Sequence, residues 1–455
     1  MKIVIAMDSF KGSLSSLAAG ETVASALREN FPQDRVQVFP LADGGEGTVD
    51  ALTQGLGGRI VPVTVTGPLG TPVASRYGYL ESTHTAIIEM ADAAGLPLVP
   101  ENQRNPLNTT TYGLGELILA AKQNGARHFL IGIGGSATND CGLGMLAALG
   151  VKFRWKDSPT RNSEANAQSS AASPSGGGAE RGEAEGAPAT NHRTPAVTSA
   201  PTPASAASPS GGGAERGEAE GAPATSQTKC IPFGRDLAGI VSIDVSALKE
   251  NLAGCTFAIA CDVTNPLCGE NGCSAIFGPQ KGATPEIVKK MDCDIHAFAQ
   301  LAEKTLAATT RRNSLADAEN RPGAGAAGGL GFAFSVFLGG TLTPGTTLIL
   351  KNIGIERALK TADLLITGEG RMDAQTAMGK APAGVAQLAK RARPACKTVA
   401  LCGCATKGAE AVNQSGIDAY FPILHRAVPV ETAMQEKETK SNLARTIVQV
   451  RRLLM

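Results

Sequence analysis

The stretch ARHFLIGIGGSATND, residues 126–140, decides the fold: an aliphatic run from Phe129 to Ile133 passes straight into a glycine-rich loop and then into helix-starting residues. A short apolar, β-rich run that ends at glycines reads as a buried strand. The same succession recurs along the chain. KIVIAM (2–7) leads into DSFKGS, and TFAIACDVTNP (256–266), ADLLITGEG (362–370) and KTVALCG (397–403) repeat the pattern. Helical patterns lie between the runs. VQVFPL (36–41) and the loop ADGGEG (42–47) precede a helical TVDALTQGL that stops at Gly57 and Gly58. Leu114, Leu117, Ile118 and Ala121 share a helical face that ends at Asn124 and Gly125. Strand, glycine loop and helix in repetition place the chain in the α/β class with largely parallel sheets. In such sheets ligands sit beyond the carboxyl ends of the strands, so these loops are where function is expected.

The 455 residues carry 42 Lys+Arg against 41 Asp+Glu, a net charge of +1, which gives no basic field for nucleic acid. Aromatics are only 4% and glycines number 54, so the core has to be aliphatic. No run approaches a membrane span, and the N-terminus lacks the pattern of a signal peptide. Ten cysteines at scattered spacings in a long chain suit free thiols in a reducing cytoplasm. Cys261, Cys268 and Cys273 form no CxxC half-site and have no histidine nearby in sequence, which argues against zinc. From Ser158 to Thr228 the composition shifts to Ser, Ala, Gly, Pro, Thr and Glu, with Val197 the only large apolar residue. Within it SAASPSGGGAERGEAEGAPAT stands at Ser170–Thr190 and again, letter for letter, at Ser205–Thr225. A segment with a single large apolar residue cannot offset its ordering entropy, so 158–228 is expected to be a disordered insertion.

Asp8, Ser9 and Lys11 follow the first strand and set a carboxylate, a hydroxyl and an ammonium at one strand end. Asp43, Gly44, Gly45, Glu46 and Gly47 make a second loop, whose glycines let backbone approach a ligand and whose helix start offers N–H groups to an anion. Two carboxylates beside a phosphate-sized hole suggest Mg²⁺ on Asp43 and Glu46. Ser136, Asn139, Asp140, Glu369, Arg371 and Asp373 stand at other strand ends, and Arg371 suits bidentate grip of a carboxylate or phosphate. PGAGAAGGLG (322–331) has no strand before it, so it reads as a phosphate loop or a tight-packing segment. GxxxxGK[ST], HRD, DFG and GxSxG are all missing, which disfavours a P-loop NTPase, rules out an ordinary protein kinase and leaves a serine hydrolase without support.

Eight segments taken together say more than any one loop. AMDSFKGSLSS (6–16), ADGGEGTVDAL (42–52), EMADAAGL (89–96), NPLNTTTYGLGELI (105–118), GIGGSATNDCGLGML (132–146), ACDVTNPLCGENGCSAIFGPQKGA (260–283), PGAGAAGGLG (322–331) and ITGEGRMDAQT (366–376) resemble the bacterial glycerate kinase family, type 1, in that family's order. The long insertion and the thiols at Cys268 and Cys273 depart from the family pattern. The resemblance implies two α/β lobes, Rossmann- or flavodoxin-like, with the active site in the cleft between them. One lobe would be 1–65 plus 290–455 and the other 66–289, with the insertion inside the second. It also implies transfer of the γ-phosphoryl of ATP, with Mg²⁺, to a hydroxyl of (R)-glycerate, with 2-phosphoglycerate favoured over 3-phosphoglycerate. A Mg²⁺-dependent phosphatase or a non-catalytic nucleotide-binding module would use the same loops. The implied state is a cytoplasmic monomer or homodimer without nucleic-acid or membrane partners.

Phosphoryl transfer needs positioning and charge neutralisation more than covalent chemistry. Asp8 or Asp43 is therefore expected as base or metal ligand, and Lys11 on the transferring phosphoryl. Gly44, Gly45 and Gly47 would supply backbone donors, and Ser9 a hydroxyl. Glu369, Arg371 and Asp373 would complete the cleft, with Arg371 on the glycerate carboxylate, while Ser136, Asn139 and Asp140 would line the facing lobe. Deleting residues 158–228 should leave turnover within a few-fold of the full chain, measured as ADP release; loss of folding would overturn the reading of that segment.

Overall fold

The computed structural model describes residues 1–156, 231–310 and 317–454, so the 158–228 insertion lies outside the described residues. Strands β1 (Lys2–Met7) and β2 (Arg35–Val38) come first. β3 (Arg59–Thr66), β4 (Pro72–Leu80), β5 (Thr85–Glu89), β6 (His128–Gly132) and β7 (Lys152–Trp155) follow. After the insertion come β8 (Ile240–Asp244), β9 (Thr256–Ala260), β10 (Thr341–Thr343), β11 (Leu364–Met372), β12 (Lys397–Ala405) and β13 (Ala419–Pro422). They form a five-stranded sheet in the order β13-β12-β11-β1-β2, a six-stranded sheet in the order β10-β9-β6-β5-β4-β3, and a β7-β8 pair.

The five-stranded sheet is parallel throughout. In the six-stranded sheet β5, β6, β9 and β10 run parallel, while β3, β4 and β5 form an antiparallel meander. The meander departs from the parallel expectation for a local reason. Gly67 to Thr71 is a turn, with the Thr71 carbonyl accepting from Gly67 N at 2.7 Å, and such a turn reverses the chain where a parallel return would need a long crossover. The chain is therefore mixed α/β, with two largely parallel sheets.

Alternation along β1 buries both of its faces. Ile3, Ile5 and Met7 pack on the helices Ser16–Asn30 and Glu436–Leu453, through Val23, Leu27, Leu443 and Ile447. Val4 and Ala6 point the other way, into a cluster with Leu365, Ile87, Leu130 and Ala260, so residues of both sheets share one core. Both sheets belong to one compact unit. β3 is already paired with β4, from Arg59 opposite Tyr79 to Thr66 opposite Pro72, and the helix Pro285–Thr310 sends Ile295, Phe298 and Ala302 into the core that includes Ile88 and Ile131. Hence the six-stranded sheet claims the chain from β3 to β10.

Both chain ends meet at Asp34. Its carboxylate takes the Met1 ammonium at 2.6 Å and Arg451 Nε at 2.7 Å, and Arg451 also lies 5.0 Å over the Phe31 ring. The Arg451 bonds, ahead of the opposing effect of burial, hold the Asp34 carboxyl below its usual range. Arg451→Ala removes two charge-assisted bonds and leaves Asp34 with the Met1 ammonium, so it should cost roughly 1.5–3 kcal/mol in urea unfolding at pH 7. Because the native carboxyl is the more acidic, that stabilisation is present above the unfolded-state value and fades as pH falls through the native one. A variant within experimental error of the parent would refute the clasp.

Candidate active site

The carboxyl ends of β1 and β11 face those of β6 and β9 across the loop Asp43–Gly47, and close backbone contact puts that loop there. A Cβ on Gly132 would sit 2.1 Å from the Gly44 carbonyl, and one on Gly345 1.9 Å from the Asp43 carbonyl. Gly44 itself has φ +90° and lies against Ala260, so the segment tolerates no bulk on either side. Asp43 stays at the junction, with Oδ1 accepting from Gly45 N at 2.9 Å. Ser16 links this loop to the first, donating to Met7 O at 2.8 Å and accepting from Leu41 N at 3.0 Å.

Three cavities meet at Asp43. One of about 470 Å³ is lined by Asp8, Ser9, Lys11, Glu369, Arg371 and Asp373. One of about 1050 Å³ has a cationic rim of Lys351, Arg357, Lys360, Lys380 and Arg391. The third, about 310 Å³, is framed by Gly44, Gly45, Gly134, Gly135, Ser136 and Lys281.

The charges at this junction oppose one another. Burial, then the neighbouring charges of Asp43 and Glu369, push the Asp8 carboxyl up to about 7 against the pull of the Ser9 N–H and Lys11. Burial also raises Glu369, whose Oε1 accepts from Thr376 Oγ1 at 2.6 Å, and Asp262, whose Oδ1 accepts from Gly345 N at 2.8 Å. Lys11 is exposed and draws Asp8 down only weakly, Lys380 pulls on Glu369, and Arg371 and Lys380 each lie 3.8 Å from Asp373, so the cations present only partly offset the acids. Such a set of hard oxygens, short of cations, is ready for a divalent ion and phosphate-bound positive charge.

A family model for the glycerate kinase family matches residues 3–173 and 212–455. This chain belongs to the glycerate kinase family. A glycerate kinase of Bacillus subtilis is 40% identical, over 96% of this chain and 93% of its own length. A glycerate kinase of Haemophilus influenzae is 38% identical over 100% and 99%, and a glycerate 2-kinase of Escherichia coli is 38% identical over 93% and 91%. A crystal structure from Salmonella typhimurium LT2 is 36% identical and superposes with a TM-score of 0.75, covering 100% of this chain and 98% of that one. The chain is thus an enzyme of the kinase class. Among the described residues no helix is long and apolar enough to cross a membrane.

The glycerate kinase fold places several expected residues elsewhere. Glu46 is exposed and lines none of the three cavities; it adds its charge to Asp92 instead. The helix start after Gly47 is already taken, because the buried Glu89 carboxylate accepts from Val49 N at 2.7 Å. Burial pushes Glu89 up to about 7. Asp140 is fully buried and accepts from the N–H groups of Thr111, Gly142 and Gly144 and from Thr111 Oγ1, so it braces a helix start rather than facing the cleft. Asn139 is buried with its Nδ2 on Ser274 Oγ at 2.8 Å. Of that trio Ser136 alone lines one of these three cavities. The 322–331 segment is a tight-packing one, since Cβ atoms on Gly328 and Gly329 would strike Thr138 O at 2.2 Å and Cys141 at 2.9 Å.

Two residues escaped notice in the sequence. Lys281 is buried, donating to Ser136 Oγ at 2.7 Å and Thr138 O at 2.6 Å, and burial pulls its ammonium down to about 8. Lys380 lines both larger cavities. A lysine after Gly278-Pro279-Gln280 was the available signal for the first. Because the Asp8 carboxyl is raised in the fold, its ionisation works against stability. Asp8→Asn should therefore raise the melting temperature by a margin that grows from about pH 4 to about pH 7 and levels off above. Equal margins at about pH 4.5 and about pH 8 in differential scanning calorimetry would sink this account.

Proposed function

We propose that this enzyme transfers the γ-phosphoryl of ATP to the 2-hydroxyl of (R)-glycerate, giving 2-phosphoglycerate and ADP in the cytoplasm. The observation that carries the proposal is the meeting of a cation-rimmed cavity, large enough for a nucleotide, with an acid-lined one at a single carboxylate, Asp43. Family membership supports glycerate as acceptor, and the name of the Escherichia coli relative supports the 2-position. Nine free thiols among the described residues accord with a reducing compartment. The two sheets correspond in this reading to two lobes, with the cleft at the Asp43 junction.

In this reading the triphosphate runs along Lys351, Lys360 and Lys380 toward Asp43. Arg371 grips the glycerate carboxylate, with Asp373 holding the guanidinium from 3.8 Å. Asp8 accepts the proton of the hydroxyl whose oxygen attacks the γ-phosphorus, while the bond from that phosphorus to the bridging oxygen breaks and ADP leaves. Lys11 meets the equatorial oxygens in flight, and Ser9 and the Gly44 and Gly45 backbone border them. Asp43 and Asp262, not Glu46, would hold Mg²⁺, which when bound neutralises charge on the phosphate oxygens. Glu369, tied down by Thr376, keeps the junction acidic and its neighbours in place.

Asp8→Asn should lower kcat roughly 100- to 10,000-fold, and Asp43→Asn and Lys11→Ala should each impair turnover strongly. In the parent, kcat/KM should rise with pH through about 7 as Asp8 ionises. ADP release that depends on glycerate, with phosphorus NMR of the product showing 2-phosphoglycerate, tests the whole proposal. Glycerate-independent phosphate release would favour a phosphatase, and near-normal turnover in all three variants would overturn the assigned roles.

A further inference from the structure

Away from the cleft, three elements bring together donors that are far apart in sequence. The loop after β9 carries Cys268, the helix Pro285–Thr310 carries His296, and the short turn Ala318–Asn320 carries Glu319. One ligand atom from each lies within 4.8 Å of the other two. His296 Nδ1 is 2.7 Å from Glu319 Oε2, with the side chains 46% and 22% exposed, so an ion can reach them from solvent.

The surroundings hold these groups in place. The Glu319 carbonyl accepts from Leu267 N at 2.8 Å, which pins the residue before Cys268 to the turn that bears the carboxylate. On the other side both Asp292 oxygens accept from Gly269 N, at 3.1 and 3.2 Å, and the Cys268 thiol points to the Asp292 carbonyl at 3.7 Å. The Gln300 amide is 2.9 Å from His296 Nε2. As the side chains stand, the amide NH2 donates to Nε2 and Nδ1–H donates to the Glu319 carboxylate; a bound ion would take the place of that proton on Nδ1, with the amide turned over to accept from Nε2–H. An outer partner that fixes the ring and its tautomer is the usual company of a metal-bound histidine.

We propose that Cys268, His296 and Glu319 form a zinc site, separate from the phosphoryl-transfer cleft, with water as fourth ligand. Thiolate, imidazole and carboxylate in a tetrahedral arrangement suit Zn²⁺ over the harder Mg²⁺. Bound there, the ion ties the loop that begins at Asp262 to the long helix and to the turn leading into the Gly323–Gly331 segment. Ala326 and Ala327 of that segment border the 310 Å³ cavity, so the site braces one wall of the cleft from outside.

The test is titration of metal-free, full-length protein with Co²⁺, a coloured substitute for Zn²⁺. One equivalent should produce a thiolate-to-cobalt charge-transfer band, which Zn²⁺ then abolishes. Cys268→Ser should lose the band, His296→Ala and Glu319→Gln should weaken binding, and Gln300→Ala should weaken it roughly 10- to 100-fold while keeping the band. Gln300 is exposed, so this variant reads the site even if Cys268→Ser fails to fold. Zn²⁺ should raise the melting temperature of the parent and leave that of Cys268→Ser unchanged. A titration with no sulfur-to-cobalt band, a band that survives in Cys268→Ser, or equal affinity in Gln300→Ala would overturn the proposal.

Discussion

Everything at the cleft depends on a steric constraint: the backbone of Asp43 and Gly44 is squeezed between Gly132 at the end of β6, Ala260 at the end of β9, and Gly345. Two sheets cannot bring their carboxyl edges this close if a side chain stands between them. The absence of a Cβ at three positions from three distant parts of the chain is thus what gives the molecule a shared junction. The shared core beneath, with Val4 and Ala6 against Ile87, Leu130 and Ala260, supplies the adhesion that the contact exploits.

The same proximity creates an electrostatic imbalance. Asp8, Asp262 and Glu369 are all driven toward their neutral forms, by burial first and by one another or Asp43 next. The basic groups beside them offset this only in part: Lys11 is exposed, and Lys380 divides its pull between Glu369 and Asp373. The protein accepts an unfavourable arrangement of charge that a cation and an anionic substrate relieve. This is how local rules break where chemistry is done.

Much of the framework was legible from the chain alone, because a strand is a short-range pattern and its end is a glycine. KIVIAM became β1, TFAIA became β9, and the helix expected before Asn124 runs from Tyr112 to Gln123. Asp8, Lys11, Glu369, Arg371 and Asp373 also come together as strand-end residues should. Illegible was anything that depends on which loop faces which. Glu46 and Asp43 are near in sequence yet part company, since the turn points Glu46 outward. Glu89 satisfies a helix start that looked open, and Asp140 spends its oxygens on Thr111 and two glycines. Lys281 acquires meaning only from Ser136 and Thr138, partners supplied by a different strand end.

The position of β1 in its sheet has a consequence for the order of assembly. It lies between β2, which follows almost at once, and β11, which is made only after most of the chain. On the ribosome, β1 and β2 can pair around the helix Ser16–Asn30, but β1 lacks its second neighbour until Leu364–Met372 emerges. The six-stranded sheet, complete once β10 is made, has all its partners earlier. The edge that β1 offers to β11 therefore stays unpaired through most of translation and must be shielded meanwhile.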